Sequence, residues 1–291
     1  MELFAIVKTL RPPQWIKNLF IFAALIFAQR FDDIDLFIKT SLAFFVFCLL
    51  SGAVYIINDI LDVEEDKLHP KKSKRPIASG VLGRGQALTA FFVLAGISLA
   101  AAFFLSVHFF IISLGYCLLQ IAYSLKLKHI VILDVFIIAA GFVIRVVAGG
   151  LVIDVPISSW LLICTMLLAL FLAMSKRRHE LVILETDAMG HRPILKEYST
   201  HLLDQMIAVV TASTLIAYCL YTISEETVEK FGTTYLVLTS PFVLYGIFRY
   251  LYLVHQKEKG GSPEELILHD KPLLVDIILW IISIIVIIYF T

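Results

Sequence analysis

The stretch "TSLAFFVFCLLSGAVYIINDILDVEED", residues 40–66, joins a long apolar run to a cluster of acidic residues. Residues 40–57 carry no charged side chain. About 20 residues of this kind cross the apolar core of a bilayer as an α-helix. Five acids follow within nine positions: Asp59, Asp62, Glu64, Glu65 and Asp66. The stretch therefore predicts a membrane-spanning helix whose end carries a carboxylate-rich site.

The rest of the chain has the same apolar character. Hydrophobic residues make up 59% of its 291 residues, whereas soluble domains are about 45–50% apolar. Apolar runs occur at residues 15–29, 40–57, 87–106, 108–125, 130–150, 157–175, 205–222, 234–254 and 273–290. We therefore expect an all-α, polytopic membrane bundle of about nine transmembrane helices, organised as a single domain over residues 1–291.

The distribution of basic residues predicts the orientation of this bundle. Lys and Arg concentrate in segments 8–17, 67–84, 126–128, 176–196 and 257–271. The loops between them are poor in both residues: 30–39, 106–108, 149–159 and 224–233. We expect the protein to lie in the cell or inner membrane. Because basic loops stay on the cytoplasmic side, its N-terminus and its active site should face the cytoplasm.

Charge and cysteine content exclude several classes of function. Basic and acidic residues number 24 each, so the net charge is zero and no nucleic-acid partner is expected. The four cysteines lie inside apolar runs without C-x-x-C spacing: Cys48, Cys117, Cys164 and Cys219. We interpret them as packing residues rather than as disulfides or zinc ligands.

The acidic motif has the spacing of a metal site. Asn58, Asp59, Asp62 and Asp66 fall within one arc of about 100° on a helix. Like charges at this spacing repel one another unless a cation lies between them. Mg²⁺ takes one or two carboxylates and completes its shell with water and phosphate oxygens. We therefore predict that these four residues bind Mg²⁺ and that Asp62 and Asp66 are catalytic; the alternative is a solvated helix end.

A basic run follows the acids. Lys74 and Arg75 stand beside the acidic cluster, and Pro76 stiffens the loop directly after them. A metal flanked by Lys and Arg suits pyrophosphate, because the metal bridges its oxygens and the cations neutralise them. We predict that Lys74 and Arg75 bind substrate, whereas Lys67, Lys71 and Lys72 are interpreted as topology signals.

The fifth apolar run carries two charges on one face. Asp134, Gly141 and Arg145 follow helical spacing, and the glycine leaves space on that face. Arg145 lies about 16 Å beyond Asp134, well inside the membrane. An ionisable residue at that depth indicates a functional site. We predict that Asp134 is catalytic and Arg145 binds substrate. The alternative is a structural Arg145 that pairs with Asp134 or caps carbonyls of a neighbouring helix.

Weaker signals mark further substrate contacts. Lys176 and Arg177 end the sixth run, and Glu180 is a ligand, an orienting residue or an ion-pair partner. Lys17 is either an interfacial anchor or a substrate contact. Tyr55 lies one turn before the acidic motif and is either a substrate contact or a core residue.

The motif N-D-x-x-D-x-x-x-D at residues 58–66, followed by "RPIASG" at 75–80, resembles the first signature of the UbiA superfamily of intramembrane prenyltransferases. This resemblance implies an all-helical bundle, magnesium, and transfer chemistry on a diphosphate-bearing substrate. Aromatic prenyltransferases of the superfamily carry a further aspartate-rich motif at their second signature. Here "YSLKLKHIVILD", residues 123–134, holds two lysines and a single aspartate at that place.

Three other stretches, "LRPPQWIKNLF" (10–20), "GFVIRVVAGG" (141–150) and "SKRRHEL" (175–181), are similar to the decaprenyl-phosphate phosphoribosyltransferase branch of that superfamily. This implies transfer of 5-phosphoribose from phosphoribosyl diphosphate to a polyprenyl phosphate in the membrane, with release of pyrophosphate. The product would be a precursor of cell-envelope arabinan or a related glycan. The second signature then supplies candidate substrate-binding residues: Tyr123, Ser124, Lys126 and Lys128.

Two other functions stay open. One is a prenyltransferase of the same fold, which moves a prenyl group from a prenyl diphosphate to an aromatic or lipid acceptor. The other is a transporter of an anionic metabolite that uses Arg145 as counter-ion. Transporters commonly have paired broken helices in matching halves, and the sequence shows no such pair. The sequence leaves homo-oligomerisation open.

Overall fold

The structure, a computed structural model, describes residues 2–68, 72–186, 193–257 and 263–290. Within these ranges the chain is helical and has no β-strand, as the sequence predicts. The α-helices are α1 (Glu2–Thr9), α2 (Ala23–Phe27), α3 (Ile34–Leu61), α4 (Val63–Leu68), α5 (Arg84–Leu105), α6 (Val107–Leu125), α7 (Leu133–Ile153), α8 (Ser159–Thr186), α9 (Thr200–Ile223), α10 (Glu225–Phe231), α11 (Ser240–Gln256), α12 (Pro263–His269) and α13 (Lys271–Phe290). Short 3-10 helices cover Pro12–Phe22, Lys72–Lys74, Leu127–His129, Pro193–Glu197 and Tyr235–Thr239.

Eight helical segments in the described ranges are long and apolar enough to cross a membrane. They are α3, α5, α6, α7, α8, α9, α11 with the 3-10 turn before it, and α13. These segments match eight of the nine predicted spans. The protein is therefore a polytopic membrane protein built from a helical bundle.

The first predicted span, residues 15–29, takes a different form from the others. It folds as the 3-10 helix Pro12–Phe22 followed by the short helix α2, and two prolines occupy the first positions of the 3-10 helix. A 3-10 helix rises about 2.0 Å per residue, compared with about 1.5 Å in an α-helix. Together the two elements reach about 30 Å, which is the thickness of a bilayer core.

Contacts with α3 show the direction of this first segment. Three of them follow one another from the C-terminal end of α3 toward its N-terminal end: Arg11 with Asp59, Asn18 with Ser51, and Phe22 with Phe37. The segment therefore runs antiparallel to α3 along its length. The count of nine crossing segments stays a prediction.

The chain divides into two compact units. The first comprises Met1–Ile157 and Asp187–Glu197, and the second comprises Ser158–Thr186 and Tyr198–Thr291. The acidic motif and the second signature belong to the first unit, whereas the basic residues 176–180 belong to the second. The single domain over residues 1–291 stays a prediction.

A glycine brings α7 close to the 3-10 helix Pro12–Phe22. A Cβ atom added to Gly149 would lie 2.0 Å from the backbone oxygen of Ile21, which is too close for any side chain. Within a bilayer, helices associate through close packing, and small residues make that approach possible. This contact holds the first segment of the chain against α7, the helix that carries Asp134 and Arg145.

Replacing Gly149 by alanine should separate these two elements. We expect a loss of about 1–3 kcal/mol in the free energy of unfolding, because the clash is with backbone that cannot rotate away. Thermal unfolding of the purified protein in detergent measures this loss. The matched control is Gly115→Ala in α6, where the added Cβ meets no atom within 4 Å. That variant should be as stable as the wild type or slightly more. Equal stability of the two variants would contradict the packing argument.

Candidate active site

The acidic motif lies where α3 ends and α4 begins. The backbone N–H of Asp62 donates to the oxygen of Asn58, and that of Asp66 donates to the oxygen of Asp62. Helical hydrogen bonding therefore continues across the break, and the predicted arc is kept. The three aspartates of the motif are buried, with exposures of 2%, 5% and 2% for Asp59, Asp62 and Asp66. This burial excludes the solvated helix end.

Asp59 and Asp66 share one cation. Arg75 Nη1 donates to Asp66 Oδ2 at 2.5 Å and to Asp59 Oδ1 at 3.1 Å. Arg11 donates its Nη2 to the same Asp59 oxygen, and its guanidinium carbon lies 4.7 Å from the centre of the Tyr55 ring. Hydrogen bonds between a cation and a carboxylate are roughly twice as strong as neutral ones. Two arginines therefore compensate these two acids.

Asp62 and Lys128, with Asn58 and Ser124, form a second group in the cluster, here called its second arm. Lys128 Nζ pairs with Asp62 Oδ1, and the two side chains are 8% and 6% exposed. Asn58 Nδ2 donates to Asp62 Oδ2 at 3.1 Å, and Ser124 Oγ donates to Asn58 Oδ1 at 3.1 Å. The first and second signatures therefore meet in one site, with Lys128 and Ser124 as the contacts from the second.

Backbone strain is present at two positions beside the cluster. Arg11 has a φ of 53° and Ile132 a φ of 69°. A positive φ at a β-branched residue is a genuine outlier, and such strain is commonly found near functional sites. Ile132 directly precedes α7, so this turn places Asp134 in the first turn of that helix, where it is fully buried.

Arg145 lies buried in α7, and neutral groups hold its guanidinium. Nε donates to Asn18 Oδ1 at 2.7 Å, Nη1 to the Gly141 carbonyl at 2.6 Å, and Nη2 to the Tyr116 hydroxyl at 3.0 Å. Three aromatic rings lie within 5.9 Å of its guanidinium carbon. Among the described residues no carboxylate pairs with Arg145, so the alternative in which Asp134 is its partner is wrong. The carbonyl it caps belongs to its own helix.

Gly141 leaves space on the face of α7, as the sequence predicts. A Cβ at this position would lie 3.3 Å from Arg145 Nη1 and 3.2 Å from Gln120 Nε2. Both distances are tight for a Cβ contact. Because Gly141 has no side chain, there is space for the Arg145 guanidinium and for the side-chain amide of Gln120 in α6.

The acidic cluster offers a divalent cation two carboxylate ligands rather than a larger set of protein ligands. In the part of the chain that the structure describes, no three Asp, Glu, His or Cys side chains are grouped to hold a metal. Asp59 and Asp66 nevertheless converge on one nitrogen of Arg75, so they already stabilise positive charge at a shared position. Mg²⁺ commonly takes two carboxylates with water and substrate phosphates. The donor set fits Mg²⁺, and the four-residue ligand set stays a prediction.

The family model of the UbiA prenyltransferase family matches residues 18–266 of this chain. The chain belongs to this family. It is 35% identical to the decaprenyl-phosphate phosphoribosyltransferase of Mycolicibacterium smegmatis, over 98% of this chain and 93% of the relative. It is 33% identical to the decaprenyl-phosphate phosphoribosyltransferase of Mycobacterium tuberculosis, over 95% of this chain and 91% of the relative.

A solved UbiA homologue from Archaeoglobus fulgidus, bound to GPP and Mg²⁺, has the same fold. Its TM-score is 0.72 at 18% sequence identity, covering 98% of this chain and 99% of the homologue. The family match and the near-full-length relatives confirm the resemblance drawn from the first signature. The protein is a membrane transferase of the UbiA family.

The other predicted substrate contacts of the first unit of this UbiA-family protein are less enclosed. Lys17 is half-buried and donates to Gln14 Oε1 at 2.5 Å. Tyr123 is half-buried near the end of α6. Lys74 and Lys126 are exposed and form no ion pair within the described ranges. Contact of these residues with substrate stays a prediction.

The basic end of the sixth apolar run lies in the second unit. Arg177 is 2% exposed and donates from Nη1 to Glu180 Oε2 at 2.7 Å. Of the three roles considered for Glu180, the ion-pair partner is therefore the one that the structure shows. Lys176 is half-buried. A contact between these three residues and substrate stays a prediction.

Sequence reasoning missed three residues that the UbiA fold brings to these clusters. Arg11 counted only as a topology charge, although the two prolines that follow it signal a constrained turn. Asn18 and Tyr116 each accept a hydrogen bond from the Arg145 guanidinium. Their signal was a polar group inside an apolar run, which is a weak indication when it stands alone.

Proposed function

We propose that this UbiA-family protein transfers 5-phosphoribose from phosphoribosyl diphosphate to a polyprenyl phosphate, with Mg²⁺, to make a precursor of a cell-envelope glycan. The observation that carries this proposal is the position of Lys128. It is a buried cation of the second signature and pairs with Asp62. By the resemblance, aromatic prenyltransferases place additional acids at that signature. The names of the near-full-length relatives support the same reaction.

The charges of the site suit this donor. Phosphoribosyl diphosphate is anionic at both ends, so its site needs cations in addition to a metal. Arg75 stands at the paired carboxylates, and we assign it with Lys74 to the diphosphate end. Lys128 stands at the other arm of the cluster, and we assign it with Arg145 to the 5-phosphate. A prenyl diphosphate carries no phosphate apart from its diphosphate, so it offers nothing equivalent to the 5-phosphate for Lys128 and Arg145 to bind.

The chemistry places few demands on proton transfer. The bond between C1 of ribose and the diphosphate oxygen breaks, and an oxygen of the lipid phosphate forms the new bond to C1. The lipid phosphate is already an anion at neutral pH, so the reaction needs no general base. The residues of the chain therefore act by positioning the substrates and by stabilising charge.

Each charged group has an assigned part in this scheme. Arg75 neutralises the leaving diphosphate, and the carboxylates of Asp62 and Asp134 face the positive charge that develops on the ribose ring. Asp59 and Asp66 would hold Mg²⁺, which supplies further positive charge to the diphosphate when it is bound.

A direct assay tests the proposal. Purified protein is incubated with Mg²⁺, polyprenyl phosphate and labelled phosphoribosyl diphosphate, and the label is followed into the lipid phase. A parallel reaction contains a prenyl diphosphate and an aromatic or lipid acceptor, because the solved homologue binds GPP. We expect label in the lipid of the first reaction only. Product in the second reaction alone would favour prenyl transfer, and uptake of the anion into proteoliposomes without any product would favour transport.

We also propose that the site faces the cytoplasm. The support is the alternation of basic and non-basic loops along the sequence. Three basic residues of these loops lie outside the described residues: Lys71, Arg192 and Lys259. Single cysteines at Lys67 and Glu229, both exposed, should be labelled from opposite sides of the membrane. Lys67 should react from the cytoplasmic side. Labelling of both from one side would contradict the topology, and inverted labelling would contradict the orientation.

A further inference from the structure

Two guanidinium groups share a single oxygen of Asp59. Arg11 Nη2 and Arg75 Nη1 both donate to Asp59 Oδ1. Asp66 is compensated differently, because Arg75 is its one ion-pair partner in the described part of the chain. Asp59 therefore keeps a cation if Arg75 leaves, whereas Asp66 does not.

Arg11 is held more firmly than Arg75. Its backbone is left-handed, with φ 53° and ψ 63°, and it directly precedes Pro12 and Pro13, whose rings restrict the chain. Its guanidinium also lies over the ring of Tyr55, and such a contact stabilises a cation independently of any carboxylate. Within the described ranges, the Arg75 side chain forms hydrogen bonds with the two carboxylates alone.

A divalent ion that binds Asp59 and Asp66 competes with Arg75 for the same oxygens. Once displaced, Arg75 still lies beside the ion and is free to bind the diphosphate. When Arg75 withdraws, Asp59 Oδ1 loses one of its two guanidinium partners, and a buried carboxylate oxygen left without a partner is costly. Arg11 remains on that oxygen, so Asp59 keeps a cation beside the bound ion.

Building on the proposed function, we propose that Arg11 is a positioning residue of the donor site. It stays on Asp59 Oδ1 while Arg75 turns from the carboxylates to the diphosphate and a divalent ion binds Asp59 and Asp66. Arg11 thereby acts on the diphosphate through Arg75 and does not touch it. Arg75 is the exchangeable counter-ion and Arg11 the permanent one.

Binding measurements on the full chain test this division. Mn²⁺ binding is followed by electron paramagnetic resonance, and pyrophosphate binding is followed by calorimetry at saturating Mn²⁺. The neutral variant is Arg11→Asn, since Asn tolerates a left-handed backbone better than most residues. Its pyrophosphate affinity should fall about tenfold, because Arg75 is then retained by Asp59. Its affinity for Mn²⁺ alone should change much less, because the lost positive charge offsets the tighter hold of Asp59 on Arg75. A merely structural role would lower both affinities.

A double-mutant cycle separates positioning from direct contact. Arg75→Met should lose more pyrophosphate affinity than Arg11→Asn. The double variant should lose no more than Arg75→Met alone, because Arg11 then has nothing to act through. Additive losses would show that Arg11 touches the diphosphate and would overturn the proposal, as would unchanged affinity in Arg11→Asn. Should Arg11→Asn be too unstable to purify, Arg11→Gln takes its place in the same cycle.

Two further proteins complete the comparison. Arg11→Lys keeps the positive charge and should bind pyrophosphate nearly as well as the wild type; a full tenfold loss would contradict the charge argument. Arg84→Gln removes an arginine whose pair with Glu64 is solvent-exposed, and its binding should not change. Wild-type protein that binds neither Mn²⁺ nor pyrophosphate would defeat the proposed function itself. Normal wild-type binding with an unaltered Arg11→Asn would defeat only the role of Arg11.

Discussion

Replacing Asp62 by asparagine is expected to lower ribosyl transfer by roughly 100- to 1000-fold, the loss typical of removing one preorganised charge-stabilising group. Because like charges at this spacing repel one another, the sequence alone gives no reason to expect a loss of stability. The structure adds a consequence, because Asp62 is the partner of the buried Lys128. A buried charge without its partner is destabilising by about 3–5 kcal/mol, so the single variant should also melt at a lower temperature.

A second substitution separates these two effects. In Asp62→Asn/Lys128→Met no buried charge is left unpaired, so thermal stability should return toward that of the wild type. Activity should not return, since both charged groups of this arm are absent. The matched control is Glu64→Gln, two positions along the chain, whose side chain is 71% exposed. It should transfer ribose at the wild-type rate. Full turnover by Asp62→Asn at saturating donor would rule out the assigned role.

Replacing Arg145 by leucine is expected to weaken use of phosphoribosyl diphosphate by about ten- to a hundredfold. A charge-assisted contact in a water-poor site is worth about 1.5–3 kcal/mol, and 1.4 kcal/mol corresponds to one decade. Arg145 has no carboxylate partner among the described residues, so its removal leaves no acid without a countercharge. The sequence alone left open that Asp134 pairs with Arg145, but the partners of Arg145 are neutral, so no folding defect through Asp134 is expected.

The local cost of Arg145→Leu should be modest. Asn18 and Tyr116 each lose one hydrogen bond to the guanidinium, but Asn18 still donates to Cys48 Sγ and Ser51 Oγ at 3.2 Å. Arg145→Lys, which keeps the charge but not the planar fork, is the matched control and should retain more activity. Thermal unfolding confirms that each variant is folded. A stable Arg145→Leu with undiminished ribosyl transfer would contradict the assignment, and so would a wild type that uses only a prenyl diphosphate.

The local pattern of the chain predicted most of the helical architecture and part of the site. Apolar runs identified eight of the segments that form long helices, because length and hydropathy are properties of each segment by itself. Helical spacing placed the three aspartates of the motif on one face, which the hydrogen bonding between α3 and α4 preserves. The first segment is a 3-10 helix that starts at two prolines, rather than an α-helix. Composition and hydropathy do not distinguish the two geometries, although the rise per residue differs.

The sequence by itself determined that this is a helical membrane protein, that its acids converge at the end of one helix, and that Arg145 lies deep within another. Only the tertiary structure decided which groups these charges meet. Asp59 pairs with Arg11 across 48 positions, Asp62 with Lys128 across 66, and Arg145 with Asn18 across 127. Periodicity specifies which residues share a face of a helix, but it carries no information about which other face lies opposite. That choice follows from how whole helices pack, and here it depends on close approaches such as that of Gly149 to the backbone of Ile21.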